Sequence, residues 1–590
     1  MSIVAELKPV IVATLKDLYQ QDFPEDAIAI NITKPEFEGD YTLVLFSFIK
    51  QLKKKPEELG AAIGQHLVEH YPQLITAFNV IKGFLNLSVN EQFWIDFLEQ
   101  NYKLNSLTWS RPNAQKVMLE YASPNTNKPL HLGHLRNIFL GWSVSEILKK
   151  QGDEVFKSSI SNDRGIHICK SMVAWQQFAN GKTPQEAGVK GDHLVGDYYV
   201  LFGEKHKEQM APLIEGGMTK EEADKNTPIM KAAQQMLVAW ERGDKEVVAL
   251  WRQMNGWVYE GFDKTYSRIG ADFDKNYYES NTYLLGKEFV KEGLASGVFY
   301  QKEDGSVWID LTAEGLDEKI VQRKDGTSVY ITQDLGLADE KYKDFPYDES
   351  IYVIADEQNY HMKVLKLILQ KLGKPYAGSI HHLSYGMVEL PSGRMKTREG
   401  TVVDADDLMD ELVKVAAAKT EELGKVSGFS EDELNELYET IALGALKFFL
   451  LRVDPKKRMV FNPEESIDFH GFTGPFVQYT HARIKSVLRN ESIDASVKNE
   501  QLLPLEKDLL LLLEQFQVVL QQAAGEFNPS LIAIYAFNLS KLFNSFYAAH
   551  SIRNAESEEK KQLRLKLSRL TATTIAESMK LLGIKVPERM

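Results

Sequence analysis

The chain has 590 residues, of which 44% are hydrophobic and 26% charged, and its net charge is −14. This length predicts about three or four domains, and the acidic balance excludes a protein that coats nucleic acid indiscriminately while leaving room for local RNA-binding surfaces. The single cysteine, Cys169, excludes intramolecular disulfides and multi-cysteine zinc sites, and no run approaches the roughly 20 apolar residues of a membrane span.

The first 108 residues mix helical and strand patterns, which predicts an N-terminal α+β domain over residues 1–108. Residues 1–20 have the spacing of an amphipathic helix, with early acids and without the cleavage site of a secretory leader, so a cytoplasmic protein is expected. Strand residues are predicted at 83–87. The lysines at 53–55 are more simply a solvated helix start than an RNA contact.

A strand-to-helix junction follows this region. Residues 117–122 form a short apolar run typical of a buried strand, residues 123–125 break it, and from Pro129 onward apolar side chains recur with helical spacing. His131 and His134 therefore fall about one turn apart at the start of a helix. That is where an α/β sheet binds nucleotide phosphates.

The residue types at this junction suit a nucleotide. Gly133 lets an adenine or a ribose approach the backbone, and imidazole donors can stabilise the charge that develops on an α-phosphate during adenylyl transfer. Two histidines and a glycine are little information, however. By themselves they are explained at least as well by ordinary helix caps.

The middle of the chain contains a helical stretch and a further strand. Residues 180–265 have the pattern of long amphipathic helices, whose role cannot be inferred from the sequence. Residues 351–355 predict another buried strand, and residues 356–361 start a helix directly after it.

A strand pattern at 380–390 leads into a basic loop flanked by glycines. Such a loop can close over a pyrophosphate, where Arg394, Lys396 and Arg398 would offset the leaving charge. Three cations in a surface loop are usually just solvated. The pairing of this loop with the upstream histidines makes the signal much stronger.

From about residue 406 the pattern is helical to the end of the chain. Six helical segments are predicted, with breaks at glycines and prolines: 407–423, 430–453, 472–490, 505–525, 528–553 and 556–582.

The His131-Leu132-Gly133-His134 element and the loop at 394–400 resemble the two signatures of the class I aminoacyl-tRNA synthetases, and the segments look more closely like those of the arginyl-tRNA synthetases. The resemblance implies an α/β protein with a Rossmann-like parallel-sheet catalytic domain and an all-helical C-terminal domain. The implied regions are a tRNA-contacting α+β domain at 1–108, the catalytic domain at 109–405 with a helical insertion near 180–265, a helical connecting region at 406–465 and an anticodon-binding domain at 466–590.

The implied function is that of an arginine-specific ligase in protein synthesis. ATP and L-arginine would give arginyl-adenylate, with Mg²⁺ on the phosphates and no metal held by protein ligands, and the terminal ribose of the tRNA would then accept the arginine. The expected partners are tRNA and arginine, with no membrane. A monomer is expected.

The resemblance also implies the catalytic residues. The loop departs from the family pattern, because Arg394 stands for its first lysine, Lys396 for its serine and Glu399 for its last lysine. Arginyl enzymes with degenerate loops resemble one another in carrying a lysine just upstream of the histidines, and Lys128 occupies that place. Which cation does the main work stays open. The implied catalytic residues are His131, His134, Lys128, Lys396 and Arg394, and the implied ATP contacts are His131, Gly133, His134, Met395 and Lys396.

The amino-acid pocket can be argued from charge as well as from the resemblance. A guanidinium needs a planar pair of acceptors, best supplied by carboxylates, and such a pocket rejects neutral amino acids strongly enough that no editing domain is expected. The resemblance implies Tyr330, Asp334 and Glu279 at the guanidinium, Asn125 and Gln358 at the α-amino group, and Glu120 and Ser123 in the lining. Each of these is alternatively a cap or a satisfied buried polar group.

In the last helical region the resemblance implies tRNA contacts. An aromatic ring can stack on an anticodon base and a cation can neutralise phosphate, so Tyr479, His481, Arg483 and the C-terminal Met590 are the candidates. Two other functions stay open at this point: a class I synthetase for another amino acid, and a catalytically silent RNA-binding relative.

Overall fold

The computed structural model of the protein describes residues 2–105, 111, 113–389, 391, 403–422, 428–494 and 501–590. None of the helices within these ranges is long and apolar enough to cross a membrane. Cys169 is buried in a helix, as a small hydrophobic residue would be.

The N-terminal region is an antiparallel sheet covered by helices. Its elements are α1 (Ile3–Tyr19), β1 (Ile30–Ile32), β2 (Tyr41–Val44), α2 (Phe46–Leu52), α3 (Pro56–His70), β3 (Ile75–Ile81), β4 (Phe84–Val89) and α4 (Glu91–Asn101). The strand order is β1-β2-β4-β3. Helix α1 buries Ile3, Leu7, Ile11 and Leu15, one side chain per turn on a single face.

A five-stranded parallel sheet forms the centre of the molecule. It contains β5 (Lys116–Glu120), β6 (Glu154–Ser161), β7 (Lys275–Tyr278), β11 (Glu349–Ala355) and β12 (Ile380–Tyr385) in the order β12-β11-β5-β6-β7. The order reverses at β5, and ligands of such sheets bind at the carboxyl ends beside that reversal. Helix α5 (Leu132–Lys150) leaves the sheet there.

Both faces of this sheet are buried, as parallel sheets require. Successive residues of a strand point to opposite faces, so Val117 and Leu119 of β5 join the larger hydrophobic core, while Met118 between them joins a second core. The second core packs against α14 (Tyr330–Asp344) and α15 (Asn359–Lys371).

The predicted insertion is helical. After α6 (Ile166–Phe178), the residues near 180–265 form α7 (Pro184–Ala187), α8 (Gly191–Glu215), α9 (Lys220–Asn226), α10 (Pro228–Glu241) and most of α11 (Lys245–Ile269). A small antiparallel sheet then precedes α14, in a segment made of α12 (Glu279–Thr282), α13 (Gly286–Ala295), β8 (Tyr300–Gln301), β9 (Val307–Ile309) and β10 (Lys319–Gln322).

The C-terminal part is helical apart from one short parallel ladder, which pairs β13 (Val388–Glu389) with β14 (Met459–Val460). Its helices are α16 (Ala405–Glu422), α17 (Glu431–Leu451), α18 (Pro463–Ser466), α19 (Gly474–Leu488), α20 (Pro504–Glu514), α21 (Phe516–Gly525), α22 (Ser530–Ala549) and α23 (Glu558–Leu581). The α/β fold class with a helical C-terminal domain is confirmed. The segment predicted as one helix at 505–525 is two helices that meet at Gln515.

Candidate active site

His131 and His134 cap the start of α5. The His131 ring Nδ1 accepts a hydrogen bond from the Gly133 N–H at 3.2 Å, and the His131 N–H donates to the His134 Nδ1 at 3.1 Å. The two ring centroids lie 3.8 Å apart. The helix-cap explanation is therefore correct locally. The cap uses only the Nδ1 atom of each ring. The Nε2 atom lies on the opposite side of each ring and takes no part in the cap.

Burial keeps both imidazoles neutral. It lowers the pKa of His131 to about 3 and that of His134 well below its usual range, and the nearby Lys128 ammonium acts in the same direction. Burial also lowers the pKa of Lys128, whose Nζ lies 3.5 Å from the His131 Nε2. Two neutral rings and a cation thus meet at the positive end of a helix.

A cleft of about 890 Å³ opens at the carboxyl ends of β6 and β7, and Asn125 of the segment between β5 and α5 is part of its lining. Four of the predicted arginine contacts line it: Asn125, Glu279, Tyr330 and Asp334. Tyr330 exposes 74% of its surface, so its ring is open to the cleft rather than part of the core. The sequence therefore placed two carboxylates in one cavity from segments that lie 55 residues apart (334 − 279).

The two carboxylates have different partners. Burial raises the pKa of Glu279 to about 7, Arg164 opposes that rise, and Asp163 and Asp334 add to it. Asp334 Oδ2 lies 2.6 Å from His361 Nε2, and this hydrogen bond raises the pKa of His361. Asp334 lies near the N-terminal end of α14, which the chain enters after the turn that follows β10.

Three predicted arginine contacts lie outside the lining of the cleft. Ser123 and Gln358 are exposed, and Gln358 ends a short 3₁₀ turn after β11. Glu120 is buried and forms an ion pair with Lys341, whose Nζ also lies 4.0 Å from the centre of the Tyr352 ring. This ion pair favours the alternative explanation of Glu120 as a satisfied buried polar group.

Two neighbours of the predicted pocket residues were not identified from the sequence, Arg164 in the lining of the cleft and Asp163 behind it. Arg164 lies 4.0 Å from the centre of the Tyr283 ring and 3.0 Å from Glu241. Asp163 is buried and accepts hydrogen bonds from the Ser280 N–H at 2.8 Å, the Ser280 hydroxyl at 2.7 Å and the Tyr259 hydroxyl at 2.8 Å. Asp163 thereby holds the β7–α12 turn that carries Glu279. The Asn-Asp-Arg-Gly turn after β6 was the available signal.

The predicted loop residues Arg394, Met395 and Lys396 lie outside the described residues. The chain after them returns to the start of α5. Val403 O accepts from the Leu132 N–H at 3.4 Å, and the Ala405 N–H donates to Leu130 O at 3.0 Å. The segment that follows the basic loop is therefore bound to the backbone on both sides of His131.

A second cleft of about 890 Å³ lies in the helical C-terminal part. Tyr479, Arg483 and Met590 line it together with Tyr547 and Arg553. The Arg483 guanidinium lies 4.8 Å from the Tyr479 ring centre and 5.6 Å from that of Tyr547.

His481, on the same helix, is outside the lining of this cleft. It is buried, its Nδ1 lies 3.0 Å from Pro587 O, and burial lowers its pKa. Its contact is therefore with the C-terminal segment of the chain.

Three family models match the sequence. "Arginyl tRNA synthetase N terminal domain" matches residues 5–89, "tRNA synthetases class I (R), catalytic domain" matches residues 98–462, and "DALR anticodon binding domain" matches residues 477–590.

Full-length relatives are similar to the chain as well. The arginine--tRNA ligase of Bacteroides thetaiotaomicron is 52% identical over 601 residues, and that of Bacteroides fragilis 51% over 599, with 100% of both chains covered in each case. Among solved structures, the Thermus thermophilus arginyl-tRNA synthetase superposes with a TM-score of 0.81 at 25% identity, covering 99% of this chain and 100% of that one.

Proposed function

Since the chain belongs to the arginyl-tRNA synthetases of class I, and is thus an arginine--tRNA ligase that uses ATP, we propose that its active site comprises the cleft at the carboxyl ends of β6 and β7 together with the start of α5. The observation that carries this proposal is the convergence of Glu279 and Asp334 on one cleft that Asn125, from the segment leading to His131 and His134, also lines. Carboxylates match a guanidinium, and a helix start with imidazole donors matches a phosphate.

The guanidinium of arginine would replace the cationic side chains that lie beside the two carboxylates of the cleft. Arg164 and His361 offset the charges of Glu279 and Asp334 in the structure. An incoming guanidinium, with five donors in a rigid fork, can engage both carboxylates and release His361 as a neutral ring. Tyr330 would cover the side chain, and Asn125 would accept from the α-amino group. Glu120, Ser123 and Gln358 remain weaker candidates, because they are outside the lining of the cleft.

Adenylate formation would then rest on positioning and charge. The arginine carboxylate oxygen attacks the α-phosphorus of ATP, the bond to the bridging oxygen breaks, and pyrophosphate leaves. The Nε2–H groups of His131 and His134 would donate to the α-phosphate oxygens, with Gly133 leaving room for the nucleotide. Lys128 would offset the pyrophosphate charge, and Lys396, Arg394 and Met395 of the basic loop are proposed to contact ATP. The terminal ribose hydroxyl of tRNA then attacks the activated carbonyl and AMP leaves.

We propose that Mg²⁺ enters with ATP, on its phosphates. Among the described residues, one group of three acid or histidine side chains lies close enough to share an ion, namely Asp192, His193 and Asp406. The Lys190 ammonium already lies between the two carboxylates of that group, so the group is a poor fit for a resident metal. Charging should stop when Mg²⁺ is chelated and resume when it is restored.

The second cleft is proposed to bind the anticodon region of tRNA. Tyr479 can stack on a base and Arg483 can pair with phosphate. Met590 is also part of the lining of this cleft. His481 would act from beneath, by holding the C-terminal segment. We also propose that the chain is divided into domains at 1–108, 109–405, 406–465 and 466–590. A monomeric state and a cytoplasmic location are part of the same proposal.

The test is charging of total tRNA with labelled arginine by variants of the cleft. Asp334→Asn and Glu279→Gln should each lower kcat/KM for arginine by about a hundredfold, as loss of a charged hydrogen bond costs roughly 1.5–3 kcal/mol. Asp339→Asn is the matched control, because Asp339 lies on the same helix and bonds Lys343 and Tyr376 outside the cleft. Equal activity of Asp334→Asn and the control would overturn the assignment.

A further inference from the structure

The N-terminal part of α8 contacts the segment that carries His131 and also the segment that pairs with it. Helix α8 belongs to the insertion, and none of its residues lines the arginine cleft. Its N-terminal half nevertheless packs on α11 and reaches two short stretches of backbone, one at 128–129 and one at 404–406. The first stretch directly precedes residues 130–132, and the second overlaps residues 403–405, which pair with them.

The first contact is a cluster of charges. The Lys190 ammonium bonds to the Asp406 carboxylate, to the Thr265 hydroxyl at 2.7 Å and to Asp192 at 3.4 Å. Asp192 is fully buried, and Thr265 also donates to Asp406 at 3.2 Å. The N terminus of α8 and the C-terminal end of α11 thus jointly hold the start of α16.

The start of α16 is also capped by a residue of its own segment. Asp404 caps the helix by accepting from the Asp406 N–H at 2.8 Å and from the Asp407 N–H at 3.2 Å. His193 lies 3.4 Å from both Asp404 and Asp406. Asp404 pairs with His131 in an isolated antiparallel bridge. The cluster therefore holds the backbone segment that pairs with His131.

The second contact is a close approach of backbones at Gly196. A Cβ added there would lie 2.8 Å from Pro129 Cδ and 3.6 Å from Lys128 Cα. Only glycine allows α8 to pack this closely against the turn before His131. Gly203, two turns further along the same helix, has nothing within 4 Å of such a Cβ.

We propose that Lys190 and Gly196 are positioning residues for adenylate formation, which hold the Lys128–His134 segment in place from the insertion. This inference rests on the proposed role of His131 and Lys128. The Leu132 N–H, one of the unpaired donors of a helix start, is satisfied by Val403 O. A displacement of about 1 Å in such a segment can reduce the rate a hundredfold. Neither residue lines the arginine cleft, so the effect should fall on ATP and on the chemical step.

The experiment compares Gly196→Ala with Gly203→Ala, and Lys190→Met with Lys205→Met. Each control lies on α8, and Lys205 forms an exposed pair with Glu208 at 2.8 Å. Arginine-dependent ATP–pyrophosphate exchange is measured with tRNA present, together with active-site titration and thermal melting. We expect Gly196→Ala and Lys190→Met to lower kcat about tenfold and to raise KM for ATP at least threefold. KM for arginine should stay within twofold, Lys190→Arg should recover most of the activity, and both controls should match the parent.

The outcomes separate this inference from the proposed site. Unchanged KM for ATP, or a loss explained entirely by fewer active sites or a lower melting temperature, would mean that α8 is only a structural support and would overturn the inference. His131→Ala is run in parallel. If His131→Ala keeps full exchange activity, the proposed site fails. If it loses activity while Gly196→Ala and Lys190→Met keep theirs, the inference alone fails.

Discussion

Arginine capture is expected to depend on pH around neutrality, because burial raises the pKa of the Glu279 carboxyl to about 7. Only the ionised carboxylate can pair with a guanidinium. About 9% of Glu279 would be ionised at pH 6 and about 91% at pH 8, which is a tenfold difference and corresponds to roughly 1.4 kcal/mol of binding free energy. Arginine should therefore be captured about ten times less well at pH 6 than at pH 8.

The Asp334–His361 pair is also expected to make arginine capture weaker at low pH. The Asp334 hydrogen bond raises the pKa of His361, so His361 keeps its proton to a higher pH and competes with the substrate for Asp334. Raising the pH removes that proton and frees the carboxylate. This pair thus adds to the change expected from Glu279. His131 and His134 add nothing, because burial holds their pKa values far below this range.

The assay is kcat/KM for arginine in tRNA charging, at saturating ATP and tRNA and constant ionic strength, from pH 6 to pH 8. This ratio reports ionisations of the enzyme before arginine binds. Glu279→Gln should be slower at pH 8 and should lose most of the slope, and Asp339→Asn should follow the parent. A parent profile that stays flat within twofold, or a Glu279→Gln profile with the same slope as the parent, would refute the reasoning.

Three further variants test other parts of the molecule. His131→Ala should lower ATP–pyrophosphate exchange by about 10²–10³, the loss typical of removing one donor to developing charge; a loss below threefold would contradict its role. Lys341→Met leaves Glu120 buried without its ion-pair partner and should destabilise the catalytic domain by roughly 3–5 kcal/mol. Calorimetry should show the lower melting temperature, and Glu120→Gln in the same chain should restore part of it. Arg483→Ala should raise KM for tRNA about tenfold with arginine kcat/KM unchanged at saturating tRNA, since Arg483 borders the second cleft; an unchanged KM for tRNA would argue against that cleft.

Local elements of the site were predictable because they depend on nearest neighbours in the chain. Apolar periodicity and a break at Ser123 determine where β5 ends and α5 begins, and His131 and His134 follow from that boundary. Asp334 was identified as a pocket residue, but the helix that carries it, α14, was not predicted. The helical continuation after the β10 hairpin was not evident from so short a segment.

What the sequence by itself determined is the chemistry available: the capping histidines, the carboxylates at Glu279 and Asp334, and the helical character of the C-terminal part. Only the tertiary structure decided which of these groups share a cavity and which are neutralised. Glu120 pairs with Lys341, 221 residues away, and α8 of the insertion reaches the backbone beside His131. Such pairings depend on how the sheet and its insertion pack. Packing energy comes from whole faces rather than from any local pattern, and no short segment of the sequence specifies it.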